Sequence, residues 1–578
     1  MSLLRVWAPK PARVAVEVDG QQLPMKPESA GWWSIETELL APGADYAFVL
    51  DDGAPLPDPR SRWQPGGVHG RSRIIDHGSF CWSDLRWDPP PLSSAIVYEL
   101  HIGTFTPAGT FEAAIERLSH LTELGVTHIE LMPVAEFSGE RGWGYDGVDL
   151  YAPHHDYGGP DGLKRLVDAC HARGLAVILD VVYNHFGPSG NYLSQFGPYQ
   201  TDHYRTPWGD AVNFDGPGSD EVRRFLCDNA LMWLREYHFD GLRLDAIHAI
   251  VDTSAIHFLE QLVSEVGALQ ARLSRHLTLI AESNLNDPRV VRPIEAGGYG
   301  IDAQWSDDFH HALHCWLTGE RSGYYADFGS LAHLAKALRN AYVYDGCYSQ
   351  YRGRRHGRPP IGVCGHRFLG YSQTHDQVGN RAKGERNSML MNPNRLKIAA
   401  ALVMTAPFVP MLFQGEEWGA STPFLYFSGH PEPELGHAVS EGRKREFSSF
   451  GWNPDEIPDP QAPDTFIRSK LDWRELAQEP HADLLQWHRE LIRLRKQSAE
   501  LTDGRLDRVT VKFDEEARWL TMSRGAIVIA INFAQEPQSV PLIKPESHKL
   551  LLASHDDILI NRESVEMAAE SVAVVRTS

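Results

Sequence analysis

Cysteine is scarce, with six residues in a chain of 578 (Cys81, Cys170, Cys227, Cys315, Cys347 and Cys364) and no CxxC pair. That excludes a disulfide-stapled scaffold, offers no zinc knuckle, and fits a reducing compartment. Positive charge is also in short supply, since 55 Lys and Arg face 76 Asp and Glu for a formal net charge of −21. A protein that grips nucleic acid by neutralising phosphates needs a basic footprint, and the one local cluster, Arg352, Arg354, Arg355 and Arg358, reads as a solvated loop. No apolar run has the length and continuity of a membrane span. The most lipid-like stretch, 396–413, carries Lys397 and is broken by Pro407 and Pro410, the pattern of a core helix followed by a buried strand. The opening MSLLRVWAPKPARV has no apolar core followed by a cleavage site, so no secretory leader is expected and the expected location is cytoplasmic. Neither nucleic acid nor membrane is an expected partner.

What the chain does have is two kinds of patterning. Up to about residue 88 it is short and alternating, with VWAP, RVAVEV, WWSIETE and YAFVL separated by turn residues, which predicts a β-sandwich over 1–90. A stiff Trp87-Asp-Pro-Pro-Pro-Leu linker closes it. Eight short β-branched runs follow, at 95–101, 127–132, 176–181, 241–245, 278–282, 302–305, 368–372 and 409–414. Between them lie helical patterns such as 111–124, 161–173, 219–237, 254–266, 331–340 and 394–405, with a last one at 482–497. Eight strands alternating with helices predict an α/β fold, a parallel (β/α)8 TIM barrel with insertions over 91–500. VTVKF, ARWLTMS and AIVIAINF then predict an antiparallel β-domain over 501–578.

In such a barrel, chemistry gathers at the carboxyl ends of the strands. The polar residues at those ends are His101, Asp180 with Asn184 and His185, Arg243 with Asp245, Glu282, and His375 with Asp376. Three carboxylates on one rim, Asp245, Glu282 and Asp376, are costly unless used, because like charges raise one another's pKa. Glycoside cleavage uses them: one carboxylate attacks or activates water while a protonated one gives its proton to the departing oxygen. Arg243, two residues from Asp245 on the same strand face, would keep the attacking group ionised. Taken singly, each of these residues is as easily a structural ion pair or a helix cap.

Four segments in order carry a family resemblance: Asp180-Val-Val-Tyr-Asn-His185, Gly241-Leu-Arg-Leu-Asp245, Leu279-Ile-Ala-Glu282 and Ser372-Gln-Thr-His-Asp376. The sequence resembles the α-amylase superfamily, glycoside hydrolase family 13. The resemblance implies Asp245 as nucleophile, Glu282 as general acid/base and Asp376 as transition-state stabiliser, with retention of the α-configuration. It further implies Arg243, His185 and His375 around the sugar, with Tyr145 of Trp143-Gly-Tyr-Asp146 as stacking platform and Trp143 and His248 as further contacts.

The VWAP opening, Val97-Tyr-Glu-Leu-His-Ile-Gly-Thr-Phe105 and the terminal β-domain resemble the subgroup of glycogen branching enzymes and trehalose-releasing hydrolases. Gly187-Pro-Ser-Gly-Asn-Tyr192, Trp305-Ser-Asp-Asp-Phe-His-His311, Gly319-Glu-Arg-Ser-Gly-Tyr-Tyr325 and Gly379-Asn-Arg381 look most like the hydrolases. That resemblance implies cleavage of the α-1,4 bond next to the terminal trehalose of a malto-oligosyl trehalose, and a malto-oligosyltrehalose synthase as the pathway partner that makes this substrate. A branching enzyme, or a glucan-binding protein without catalysis, is the alternative. Since the donor glucose is common to these reactions, specificity must lie on the leaving-group side, where a pocket shaped for kinked trehalose rejects maltose by leaving polar groups unpaired. Loop residues Asp307, Asp308, Phe309 and His310 are the expected wall, Arg381 is a further expected substrate contact, and His310, His311 and His314 are read as loop and substrate contacts. Many α-amylases carry Lys-His shortly after the nucleophile, with the histidine backbone holding calcium; here His248 and Ala249 stand there. No other Asp-rich calcium loop is evident, so neither a metal nor a cofactor is expected, and Asn184 is read as a loop hydrogen-bonder.

Overall fold

The computed structural model describes residues 2–448, 453, 456–542 and 547–577. Eight parallel strands close into a barrel in sequence order: β1 (Val97–Leu100), β2 (His128–Leu131), β3 (Ala176–Val181), β4 (Gly241–Leu244), β5 (Thr278–Ala281), β6 (Ala303–Trp305), β7 (Phe368–Gly370) and β8 (Val409–Phe413), the last pairing back onto β1. Every residue of these strands is buried, because helices cover the outer face and side chains fill the interior. All eight predicted strands are present, each trimmed by up to two residues at an end.

Side chains alternate across a strand, so the inward set can be followed upward along each one. Val97, Ile178, Ile280, Ala303, Leu369, Val409 and Met411 belong to one apolar cluster inside the barrel. Two residues further toward the carboxyl ends of their strands, the same face carries Glu99, Asp180, Glu282 and Trp305. The barrel is therefore oily at its base and chemical at its rim.

The surrounding helices form where the spacing predicted them, with local stops at their ends. Gly159–His171, Ser219–Glu236, Leu331–Asn340, Pro393–Thr405 and His481–Gln497 differ from expectation by no more than two residues at either end. Pro393–Thr405 starts with Pro at its first turn and Asn392 capping the Arg395 N–H, and β8 follows it, so the 396–413 run is a core helix and a buried strand. No helix of the described residues is long and apolar enough to cross a membrane. The single helix expected over 111–124 is two, Phe111–Ile115 and Leu118–Leu124, interrupted at Glu116 and Arg117. The helix expected at 254–266 begins later and runs longer, Phe258–Leu273, because His257 caps the Leu259 N–H.

Antiparallel sheets flank the barrel at both ends of the chain. The first region has a three-stranded sheet (Ser2–Trp7, Lys26–Pro27, Trp32–Thr37) and a five-stranded one built on Val14–Val18 and Asp45–Leu50. The last region has a five-stranded sheet centred on Ile527–Asn532 and a three-stranded one. Buried or half-buried ion pairs fasten both to the barrel, Arg60 to Asp228 at 2.9 Å and Arg395 to Glu570 at 2.6 Å. The arginine cluster near 355 is not a simple loop: it sits on a hairpin of Asp345–Ser349 and Arg354–Gly357.

Candidate active site

Arg243 is the centre of the rim. It is wholly buried on β4, its guanidinium 4.3 Å above the Trp305 ring, and Nη1 donates to Asp180 at 2.7 Å and to Asp245 at 2.8 Å. Nη2 lies 3.8 Å from Glu282. One guanidinium thus faces the carboxyls of three consecutive strand ends. The second Asp245 oxygen accepts from Asn184 Nδ2 at 2.7 Å, and the same amide group donates to the Asp245 carbonyl at 2.9 Å. Asn184 is therefore an anchor for Asp245.

Immediately after Asp245 the backbone turns into the left-handed region at Ala246, φ 40°, which a non-glycine residue adopts only under constraint. The turn points the Ala246 N–H at Glu282 Oε2, 2.6 Å away. Burial, and then the negative charges of Asp245 and Asp376, push the Glu282 carboxyl up to about 8, although Arg243 pulls the other way. A carboxylic acid that keeps its proton at neutral pH thus stands beside an aspartate anchored by an arginine and an amide. Asp180 is raised to about 6 by burial despite Arg243.

The cleft above these groups encloses about 610 Å³. Trp143, Tyr145, His185, Asp245, His248, Glu282, His375 and Asp376 all line it, and the wholly buried Arg243 reaches it through its bond to Asp245. Tyr145 donates its hydroxyl to Asp180 at 2.6 Å, and its ring stacks on His375. Trp143 is pinned by its indole N–H on the Leu425 carbonyl and packs face to face with Phe424. Gly379 makes this possible, because a Cβ there would stand 2.1 Å from the Trp143 ring. His185 is tied to Asn184 and to the Tyr145 carbonyl, and burial lowers its pKa and that of His248. His101 faces away, bonded to the Gly142 carbonyl, with burial pushing it down to about 3.

The leaving-group wall expected at 307–310 is corrected. These residues are no loop: they open the helix Asp307–Thr318. Phe309 is wholly buried against Phe408, inside the protein. Asp308 is buried too and accepts the backbone N–H groups of Val343 and Tyr344 and the Asn286 amide, so it fastens a chain reversal. His310 bonds the Ser372 carbonyl and the Tyr325 hydroxyl, and burial holds it neutral. His314 pairs with Glu320, which also holds Arg381 at 2.8 Å. None of Asp308, Phe309, His310, His314 or Arg381 lines the cleft. Asp307 alone keeps a link to it: Tyr371 bonds its carboxyl, burial raises it to about 6, and its charge helps to raise Glu282.

The cleft also contains residues that the sequence reading passed over. Trp208, at the tip of the hairpin Gln200–Thr206 and Gly209–Val212, is half exposed and stacks on His185 with ring centroids 4.7 Å apart. Asn284 and Asn380 add amides, and Tyr426 an aromatic edge. A lone tryptophan in a polar turn was the available signal for Trp208. Elsewhere, Glu136, His154 and His155 bring three possible metal-ligating atoms within 4.8 Å of one another, but both Nδ1 atoms already face the Glu136 carboxylate in hydrogen bonds.

A closed parallel barrel with this carboxyl, arginine and histidine rim defines a glycosidase of the α-amylase type. The family profile described as alpha amylase, catalytic domain, matches residues 78–208, and a domain of unknown function, DUF3459, matches 504–574. The chain is 52% identical to the malto-oligosyltrehalose trehalohydrolase of Mycobacterium tuberculosis over the full length of both chains, and 49% identical to that of Rhizobium sp. (strain M-11) over 99% of this chain and 97% of the relative. A crystal structure from Salmonella typhimurium that bears an α-amylase designation superposes with a TM-score of 0.91 at 39% identity, over 100% of this chain and 97% of that one. The chain belongs to the malto-oligosyltrehalose trehalohydrolase family.

Proposed function

We propose that this enzyme hydrolyses the α-1,4-glucosidic bond adjacent to the terminal trehalose of malto-oligosyl trehalose and releases trehalose. The observation that carries the reading is full-length identity of about half with trehalohydrolases, combined with an intact Asp245, Glu282 and Asp376 around one cleft. In this reading catalysis belongs to 91–500, and the β-domains at 1–90 and 501–578 brace it.

Asp245, held by Arg243 and Asn184 at the cleft wall, attacks the anomeric carbon of the glucan. Glu282, still protonated at neutral pH, gives its proton to the glycosidic oxygen, and trehalose leaves. Glu282, now a carboxylate, takes a proton from water as that water attacks the glycosyl-enzyme, and a second displacement restores the α-configuration. Asp376, beside His375, steadies the sugar hydroxyls as positive charge builds at the anomeric carbon. Asn284, which lines the cleft and whose carbonyl lies 2.8 Å from His356 on the Asp345–Gly357 hairpin, is the candidate contact for the leaving trehalose in place of the expected 307–310 wall.

The substrate would come from a malto-oligosyltrehalose synthase, and the six free thiols of this chain suit a cytoplasmic setting. The test is chromatographic: the enzyme is incubated separately with maltotriosyl trehalose and maltopentaose. Trehalose release from the first with little attack on the second is expected. Equal hydrolysis of both identifies a general amylase, and hydrolysis of neither moves the assay to α-1,6 branch formation on amylose.

A further inference from the structure

A chain of hydrogen bonds crosses the barrel interior through a residue that lies outside all four signature segments. Glu99 stands in the middle of β1, buried, with its side chain among the inward set. One carboxylate oxygen makes a short hydrogen bond with Nδ1 of His375, and the other accepts the His375 backbone N–H at 3.0 Å. On the far side of the imidazole, Nε2 lies 2.8 Å from the Tyr145 hydroxyl, and that hydroxyl lies 2.6 Å from Asp180.

The protons along this chain can be counted. A tyrosine hydroxyl has one proton, and the Asp180 carboxylate, which also takes the Arg243 hydrogen bond on the same oxygen, is an acceptor. The Tyr145 proton is therefore committed to Asp180, and His375 Nε2 must donate to the Tyr145 oxygen. Nδ1 faces a carboxylate and must donate as well. Both ring nitrogens carry hydrogen.

We infer that Glu99 is a positioning residue for catalysis: through its two carboxylate oxygens it fixes His375, in ring orientation and as the doubly protonated imidazolium, between Tyr145 and Asp376. The inference rests on the proposed catalytic role of the cleft. The groups facing the imidazole are Glu99 from β1, Tyr145, Asp180 beyond it, Arg243 from β4, Asp376 at 3.5 Å on its own helix, and His101 and Glu130 further off. Burial and Arg243 oppose the charge, and Glu99 with Asp376 outweighs them and holds the group up to about 9.

The neighbouring strand supplies a contrast. Glu130 on β2 is paired in register with Glu99 and equally buried, yet neither of its oxygens has a hydrogen-bond partner among the described residues. Burial, and then the charge of Glu99, raise its carboxyl well above the usual range. Of two adjacent interior carboxyls, one serves a cation and the other stays neutral. The imidazolium thus has one hydrogen-bonding carboxylate, Glu99, with Asp376 adding charge from 3.5 Å.

The test combines proton NMR with kinetics on the full-length enzyme. An imidazolium N–H in a short hydrogen bond to a carboxylate gives a far-downfield proton resonance. The parent enzyme should show one at neutral pH, and His375→Asn and Glu99→Gln should each lose it. Glu99→Gln keeps the volume and can still accept the His375 backbone N–H, while its NH2 group now meets a neutral Nδ1. Its thermal melt should match the parent, kcat/KM should fall by about tenfold or more on the alkaline side, and the basic limb of the pH profile should move down by about one unit or more. A parent without the resonance, a resonance that survives His375→Asn, or a Glu99→Gln enzyme with the parent pH profile overturns the inference. Because the resonance is read without turnover, an enzyme that shows it but releases no trehalose refutes the functional reading and leaves the Glu99 assignment standing.

Discussion

Asn184 and Asp245 are joined twice, the asparagine amide donating to the aspartate's backbone carbonyl at 2.9 Å and to its carboxylate at 2.7 Å. The amide nitrogen thereby sets the direction of the attacking oxygen, while Oδ1 faces His185. Asn184→Ala should therefore lower kcat by roughly ten- to a hundredfold, the size of a lost hydrogen bond to a charged group, about 1.5–3 kcal/mol. Steady-state kinetics on maltotriosyl trehalose measures it, and an unchanged kcat removes Asn184 from the machinery. Since Asn184 Oδ1 already faces His185 Nδ1 in a short hydrogen bond, dialysis against a chelator should leave kcat as it was.

Asp245→Asn and Glu282→Gln should each abolish trehalose release with the fold intact, because each removes one protonation role at nearly constant volume. The two should differ on an activated glycoside whose leaving group needs no proton. Glu282→Gln should retain a glycosylation burst there, and Asp245→Asn should not. Circular dichroism alongside the burst assay separates loss of chemistry from loss of fold.

Glu282 owes part of its elevation to neighbouring negative charge, including that of Asp307. The acid must be protonated to work, so activity is present below about 8 and lost as pH rises through that value. Asp307→Asn removes one charge that disfavours ionisation, so the Glu282 pKa falls and the basic limb of kcat/KM should move to lower pH. A limb that stays in place, or moves up, contradicts this coupling.

Phe309 belongs to the interior between the helix Asp307–Thr318 and the wall carrying Phe408. Phe309→Ala should destabilise the enzyme by about 3–5 kcal/mol through the cavity it leaves. The protein that remains folded should keep its KM for the trehalose-capped substrate. Thermal melts and Michaelis kinetics together decide, and a raised KM with an unchanged melting temperature returns Phe309 to the substrate wall.

The barrel was legible because its strands are short, largely apolar runs, and several end in a chemically distinctive residue, as in GLRL before Asp245 or TLIA before Glu282. The same property hid Glu99: a charge in the centre of VYEL looks like an exception within a strand, and only closure of the barrel brings it to His375. The helix Asp307–Thr318 was hidden by its first turn, where Asp307 and Asp308 look like loop residues. Phe309, Ala312, Leu313, Trp316 and Leu317 nevertheless keep helical spacing, so periodicity beyond the acidic start was the usable signal. The hairpins that carry Trp208 and Tyr348 are polar on both faces and have no alternation to find.

Around the cleft, Asp245, Glu282, Asp307 and Asp376 converge on the sugar position, with Arg243 and His375 as the cations that contact them and Arg443 in the cleft lining. The carboxylates on this rim leave a vacancy for positive charge at the sugar ring. A sugar analogue bearing a protonated nitrogen in place of the ring oxygen matches that vacancy better than any neutral glucoside. Its affinity should climb as the surrounding acids ionise and drop again once its own nitrogen loses the proton, which makes inhibitor pKa, more than inhibitor shape, the first variable to tune.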